Sequence, residues 1–341
     1  METILRPVNE ADLPGLIALA RQIAGGMTTL PPDPDFLARR IHQSQRAFYP
    51  AVDRPGGEHY LFVLEDVAHR RIVGTSGLIS RVGGFDPFFT YEVREEKFVY
   101  PPLGIAHTMD VLHLQERHDG PAEVCSLFLE PDFRRDGQGR LLSLGRFLFL
   151  RRFPERFAET VIAELRGYLD PAGRSPFWEA VAAPFFQKDY NSADILSGLG
   201  EKSFISALMP RHPLYVTLLP PEAQAVIGQV HHDTRPALRL LEKEGFSRTR
   251  EVDIFDAGPV VAAPRDEIET VKAAQTLPVA VLPTADAGHA LPHMVSNRQL
   301  DFRVGRVMAL VRDGQVLLPE KTFTPLRLTS DDAVDVLPVR R

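Results

Sequence analysis

Cysteine is almost absent, Cys125 being the only one in 341 residues. A single thiol excludes an internal disulfide framework and any zinc site built from paired thiolates. Positive charge is not in excess either: 39 Lys and Arg stand against 45 Asp and Glu, for a formal net charge of -6. That balance gives no footprint for a nucleic-acid partner, whose non-specific binding needs clustered cations. Arg134, Arg135, Arg140, Arg146, Arg151 and Arg152 do gather, but at helical spacing most of them read as a solvated face. Long apolar runs are missing too. The best, Leu141 to Leu150, is broken by Arg146 well short of the ~20 residues of a membrane span. The opening Met1-Glu2-Thr3-Ile4-Leu5-Arg6-Pro7 lacks the basic and apolar regions of a secretory signal. The expectation is a cytoplasmic chain without membrane or nucleic-acid partners. What is present, 44% hydrophobic and 25% charged residues, is the balance of a globular protein.

The chain opens with a short strand, Ile4 to Pro7, then Asn9 or Asp12 as a cap for a helix with Leu13, Leu16, Ile17, Ala20 and Ile23 at helical spacing. Pro31, Pro32 and Pro34 separate it from a second helical pattern at Asp35 to Arg46. Tyr60 to Glu65 and Arg71 to Ile79 predict a hairpin. Residues 83 to 120, rich in Gly, Pro, His and aromatics without a sustained period, predict loops and short strands. Cys125 to Leu129 predicts a buried strand running into Glu130-Pro131-Asp132, a glycine loop, and an apolar helix from Arg140 to about Arg152. Thr160 to Leu165 is the next strand, and Ser175-Pro176 starts a helix over Phe177 to Phe186. Short helices punctuated by Gly198, Gly200, Pro210, Pro213, Pro220 and Pro221 follow, then a helix over Pro236 to Glu244 closed by Gly245, and a strand at Glu251 to Phe255. Beyond about 275 a Pro- and Val-rich tail predicts a small β appendage.

The run Arg134-Arg135-Asp136-Gly137-Gln138-Gly139 carries chemistry. Two glycines one residue apart let the backbone approach a ligand, and the next helix offers unpaired N–H groups and a positive dipole end to an anion. A dinucleotide fingerprint needs Gly or Ala where Leu142 stands; a Walker A loop needs Gly-Lys-Ser/Thr where Gly139-Arg140-Leu141 stands. Neither fits.

The run resembles the R/Q-x-x-G-x-G/A pyrophosphate loop of the GNAT acyltransferases at Arg134, Gly137 and Gly139. The helix at Ala237, Leu240, Gly245 and Phe246 resembles a later helix of the same superfamily. The resemblance implies an α/β (α+β) fold of the GNAT-like acyl-CoA N-acyltransferase type, with CoA pyrophosphate on the loop. Two departures stand out. Leu241 occupies the place of a tyrosine held to protonate the CoA thiolate, and about 65 residues intervene where that helix normally follows the strand at Thr160, which implies an inserted subdomain. Gly228-Gln229-Val230-His231-His232-Asp233 precedes the helix, and either imidazole suits a proton donor. A metal on this cluster is the weaker reading, since no second ligand set accompanies it. Cys125, in an apolar strand with no adjacent base, reads as a structural thiol.

Longer strings resemble the arginine N-succinyltransferase family: Cys125 to Leu129, Gly173 to Trp178, Leu196-Ser197-Gly198, Lys202 to Ile205, Leu208-Met209-Pro210, Ile227 to His231 and Val252 to Pro259, with Leu5-Arg6-Pro7 and Thr28-Thr29-Leu30-Pro31. The resemblance implies succinyl transfer from succinyl-CoA, a co-substrate and not a resident cofactor, to the α-amine of L-arginine, with no metal. It implies His231 as proton donor and Leu127 as a succinyl-CoA contact beside Arg134, Gly137 and Gly139. Glu164, Asp253 and Asp256 are candidates for the guanidinium, and ornithine stays open as acceptor. The expected organisation is a GNAT-like part over 1–170, an inserted helical subdomain over 171–228, a GNAT-like helix and strands over 229–275, and a small β-rich region over 276–341. A homo- or hetero-oligomer with a homologous subunit is expected. The alternatives are an acetyl-CoA-dependent amine acetyltransferase of the same fold and a weakly catalytic partner subunit.

Overall fold

The fold is that of a computed structural model, which describes residues 2–23, 29–198 and 202–339; Met1, Thr28 and Gly200, named above, lie outside them. Strand β1 (Thr3–Pro7) leads through α1 (Leu13–Ala20) and α2 (Pro34–Ala47) into β2 (His59–Asp66) and β3 (Arg71–Ile79). A hairpin of β4 (Phe88–Tyr100) and β5 (Ile105–Arg117) precedes β6 (Ala122–Leu129), α3 (Gln138–Arg152) and β7 (Thr160–Glu164). Short helices follow: α4 (Pro176–Val181), α5 (Ala183–Phe186), α6 (Tyr190–Gly198), α7 (Ser203–Leu208) and, after the two-residue β8 (Leu214–Tyr215), α8 (Pro221–Val226). Then come α9 (Arg235–Lys243), β9 (Ser247–Val252), β10 (Pro259–Pro264) and α10 (Glu269–Ala273). The chain ends with β11 (Gln275–Val281), β12 (Leu291–Ser296), β13 (Val304–Arg312), β14 (Gln315–Leu318), α11 (Phe323–Leu326) and β15 (Ala333–Pro338).

Local chemistry sets the first elements. Asn9 accepts from Ala11 N and Asp12 returns a bond to Asn9 N, so the chain turns at once into α1. Asp33 caps α2 with Pro34 in its first turn. The main sheet runs β1-β2-β3-β6-β7-β10-β9-β4-β5-β8. Its neighbours are antiparallel except β6 and β7, which are parallel. Helix α3 packs on one face, with Leu141, Leu142, Phe147, Leu148 and Phe149 buried against Val161, Ala163 and Leu165. Phe149 sits among the rings of Phe48, Phe62, Phe153 and Phe302 at 4.9–5.3 Å. The tail is more than an appendage. Strands β13-β12-β15-β11-β14 pair in a ring that returns to β13, closed around Val279, Val295, Val307, Val316, Leu318 and Val336. Pairing of β13 with β1 joins this barrel to the main sheet.

Four expectations need correction. Residues 83 to 120 form one long hairpin with continuous register from Phe88–Arg117 to Tyr100–Ile105, not loops and short strands. Much of its outer half is exposed on both faces, so no alternation marks it; cross-strand pairing supplies the order. The strand expected at Glu251 to Phe255 is Ser247–Val252. Asp253 Oδ1 accepts from Phe255 N and Asp256 N at 2.7 and 2.9 Å and turns the chain out of the sheet. The helix expected over Phe177 to Phe186 is divided between α4 and α5 at Ala182. Arg146 is not on a solvated face: it is 2% exposed and donates to Ser143 O, Gly77 O and Cys125 O at 3.0–3.3 Å. Burial lowers its pKa to about 10. Among the described residues no helix is long and apolar enough to cross a membrane.

Phe149→Ala removes the ring on which this packing converges and is expected to cost about 3–5 kcal/mol, read as a shift in urea midpoint at constant slope. A loss below 1 kcal/mol would show that the cluster does not hold α3.

Candidate active site

Strands β6 and β7 pair only at Ala122–Val161 and Glu123–Ile162. Past these residues β6 bulges: Gly77 pairs with Cys125 and Thr75 with Phe128, so Ser126, at φ 52°, and Leu127 have no register partner on β3 or β7. The carbonyls around the bulge are held, Cys125 O by Arg146, Ser126 O by Thr75 Oγ1 at 2.9 Å and Leu129 O by Arg134 Nε at 3.0 Å. Leu127 is half-buried against the main core. A strand edge of this kind can lend backbone groups to an extended ligand arm and to a carbonyl oxygen gaining charge.

His231 stands on the other wall of that opening. Its N–H donates to Arg166 O at 2.8 Å, and Val230 bridges Gly167 antiparallel. Leu165 N and Gly167 N both point to the β10 side, to Pro259 O and Asp256 Oδ2. Alternation along a strand therefore puts Arg166 O, and His231 with it, on the edge that faces β6. The two imidazoles part as adjacent side chains do. The His231 side chain is 13% exposed and that of His232 71%. His231 Nδ1 accepts from Asp233 N at 3.3 Å, leaving Nε2 for other chemistry. Burial, with help from Arg166 and His232, holds the His231 pKa below its usual value. Ligand atoms of His231, His232 and Asp233 lie within 4.8 Å of one another, but two of the three residues stand in solvent.

The glycine loop opens α3 as expected. Gly137 is left-handed at φ 78° and forms the N-cap; Gly139 lies in the first turn. Arg306 of the C-terminal barrel donates to Asp136 O. Because the peptide is planar and trans, pinning that carbonyl turns Gly137 N–H the opposite way. Gln138 is buried and bonds Thr3 Oγ1 at 2.5 Å. Arg134 is exposed, with its guanidinium 5.9 Å from the Phe128 ring centroid. Leu241, where a tyrosine was missed, is buried in the core under α9.

A cavity of 660 Å³ opens on the sheet face opposite α3, and none of Leu127, His231, Arg134, Gly137 or Gly139 lines it. Glu123 and Glu164 reach it from β6 and β7, Asp253 from the turn after β9, Asp194 and Lys202 from the inserted segment, and Arg40 and His59 from α2 and β2. Of the three carboxylates weighed for a guanidinium, Glu164 and Asp253 line the cavity. Asp256 does not: its oxygens are taken by Gly167 N and Gly258 N at 2.8 Å and by the Tyr190 hydroxyl at 3.3 Å. Glu164 Oε1 is sealed from solvent and unpartnered. Burial, then Asp253, raises the Glu164 pKa well above the ordinary range, and burial lifts Glu123 to about 7. Burial also lifts the Cys125 thiol to about 12, which keeps it protonated and poorly nucleophilic. Arg40, His59, Glu123, Asp194 and Lys202 were missed in the sequence. Only Arg40 left a signal, as a cation on the stripe Phe36, Leu37, Ile41, Ser44 that α2 buries.

Parallel strands that part beside a bulge, with a glycine loop opening the intervening helix, define the GNAT-like fold of the acyl-CoA N-acyltransferases. Family models described as arginine N-succinyltransferase beta subunit and its C-terminal domain match residues 3–270 and 275–338. The arginine N-succinyltransferase subunit beta of Pseudomonas aeruginosa is 41% identical over 337 residues, 98% of each chain. The arginine N-succinyltransferase of Enterobacter sp. is 40% identical over 332 residues, 97% of this chain and 96% of that one. The structure of arginine/ornithine succinyltransferase subunit AI from Pseudomonas aeruginosa superposes with a TM-score of 0.89 at 32% identity, covering 100% of this chain and 99% of that one. The chain belongs to the arginine N-succinyltransferase family.

Gly137→Val puts a branched side chain at a left-handed position, its Cβ 3.4 Å from Arg306. CoA binding is expected to weaken roughly tenfold or more, about 1.4 kcal/mol, in calorimetry; unchanged affinity would remove the loop from the site.

Proposed function

We propose that this chain transfers the succinyl group of succinyl-CoA to the α-amine of L-arginine, the first step of arginine breakdown by the succinyl route. The observation that carries this reading is similarity along essentially the whole chain to proteins named arginine N-succinyltransferase. The geometry supports it: a CoA loop and strand gap lie on one side and a carboxylate-lined cavity on the other. Glu164 precedes Arg166, whose carbonyl holds His231, by two strand residues, roughly 7 Å along the strand. The amine and guanidinium carbon of an extended arginine are separated by roughly 7 Å, so Glu164 with Asp253 suits the guanidinium while the amine lies near His231.

Succinyl-CoA lays its pyrophosphate on Gly137 to Gly139 and Arg134, and its thioester beside Leu127. The neutral amine attacks the thioester carbonyl, forming the C–N bond and a tetrahedral intermediate whose oxygen is stabilised by donors at the β6 bulge. Neutral His231, its pKa depressed, reacts as the tautomer that turns an Nδ1–H toward the Asp233 carboxylate, 3.9 Å away, and takes the proton from the new ammonium at Nε2. The C–S bond breaks and the imidazolium returns that proton to the CoA thiolate. No acyl-enzyme forms, in keeping with the protonated Cys125. The relatives named as subunits support assembly with a second copy or a homologous subunit.

With arginine as acceptor, the purified chain is expected to prefer succinyl-CoA over acetyl-CoA by kcat/KM; a clear preference for acetyl-CoA would overturn the substrate assignment. His231→Ala is expected to lower kcat roughly 10²–10⁴-fold with little change in CoA affinity. In the native chain, activity should be lost as pH falls through the His231 pKa, which lies below 6.5, since the imidazolium cannot accept a proton. A variant retaining both rate and acid limb would remove His231 from proton transfer.

A further inference from the structure

The cavity holds a charge that the reaction as described leaves unused. Arg40 lies on the buried stripe of α2 and lines the cavity. Its Nε is sealed from solvent with no hydrogen-bond partner. Its Nη1 touches Nδ1 of His59, also on the wall. Burial, together with the Arg40 charge, pushes the His59 pKa well below its usual value, so the imidazole is neutral and accepts from the guanidinium without neutralising it. No carboxylate of the described residues pairs with Arg40 within 4 Å. Glu123 and Asp86 act on it only from farther away, and Glu123, lifted to about 7, is itself reluctant to ionise.

The other cations of the wall differ. Arg81 pairs with Asp119 at 2.6 Å, and Arg39 and Arg46 are exposed. Lys202 lies among the carboxylates, acting on both Glu123 and Glu164. A partly buried guanidinium with an idle donor costs desolvation that a bound anion offsets. Arg40 also stands beside β6, close enough for its charge to act on Cys125, two residues from Leu127. A succinyl chain carries its carboxylate carbon roughly 4 Å beyond the thioester carbon, so a receptor for it must stand beside that strand on the cavity face.

We propose that Arg40, oriented by His59, is a receptor for a substrate carboxylate, in the cavity that Glu164 and Asp253 also line. The inference rests on the acyl-transfer reading. Two sources share this chemistry: the terminal carboxylate of the succinyl donor and the α-carboxylate of the amino-acid acceptor. A planar guanidinium fits either through paired N–H···O bonds.

The test uses the full chain and two analogue pairs that delete one carboxylate each, succinyl-CoA against butyryl-CoA and arginine against agmatine. The unmutated chain is expected to prefer the carboxylate-bearing member of at least one pair roughly 10²–10⁴-fold in kcat/KM. Arg40→Met is expected to erase most of that preference while leaving turnover of the uncharged analogue within roughly tenfold; Arg40→Lys should retain part of it. Loss in the donor pair assigns the succinyl carboxylate, and loss in the acceptor pair the α-carboxylate. Preference unchanged in both pairs in a folded Arg40→Met overturns the proposal. So does a native chain that shows no preference in either pair, a result independent of how any variant folds. A native chain that turns over no acyl donor at all would instead overturn the acyl-transfer reading.

Discussion

Two register pairs, Ala122 with Val161 and Glu123 with Ile162, are all that joins β6 to β7 before the strands part. The rest of the site depends on that parting. In a continuous sheet the edge of β6 would be spent on ladder bonds; here Ser126 and Leu127 are left over. The edge of β7 is likewise open to Val230 and His231, which arrive from the far end of the inserted helices. The gap separates two environments, the α3 face with its aromatic core and glycine loop, and the opposite face with the charged cavity.

Holding a gap open inside a sheet needs support on both sides. On the β6 side Arg146 supplies it: a buried cation donating to Gly77 O and Cys125 O satisfies carbonyls at the bulge that would otherwise be orphaned. On the β7 side Asp256 does the corresponding work, accepting from Gly167 N and Gly258 N. Gly258 has no room for a side chain, since a Cβ would lie 2.0 Å from Leu165 O. The C-terminal barrel contributes at a distance through Arg306, which fixes Asp136 O and so the orientation of the glycine loop. Two charged residues therefore shape the opening, and a third from the tail sets the loop beside it.

Much of the GNAT-like part was legible because its signals are local. The Asn9 cap, the hairpin of β2 and β3, the glycine pair before α3 and the stop at Gly245 each depend on residues a few positions apart. The β4–β5 hairpin was illegible because strands exposed on both faces lose the alternation by which a strand is recognised. Arg146 was misread for a related reason. Helical spacing says which residues share a face, not that one such face is covered by β3 and β6.

By itself the sequence determined the chemistry available: a glycine loop with Arg134, a histidine pair before α9, a missing tyrosine at Leu241, and strings resembling one acyltransferase family. These are properties of neighbours in the chain, set by backbone conformation and residue type. Tertiary structure alone decided which imidazole turns inward, that Asp256 is spent on backbone N–H groups while Glu164 and Asp253 face a cavity, and that Arg40 meets them across it. Such outcomes turn on burial and on pairing between segments far apart in the chain, and no local pattern encodes the desolvation that gives those charges their force.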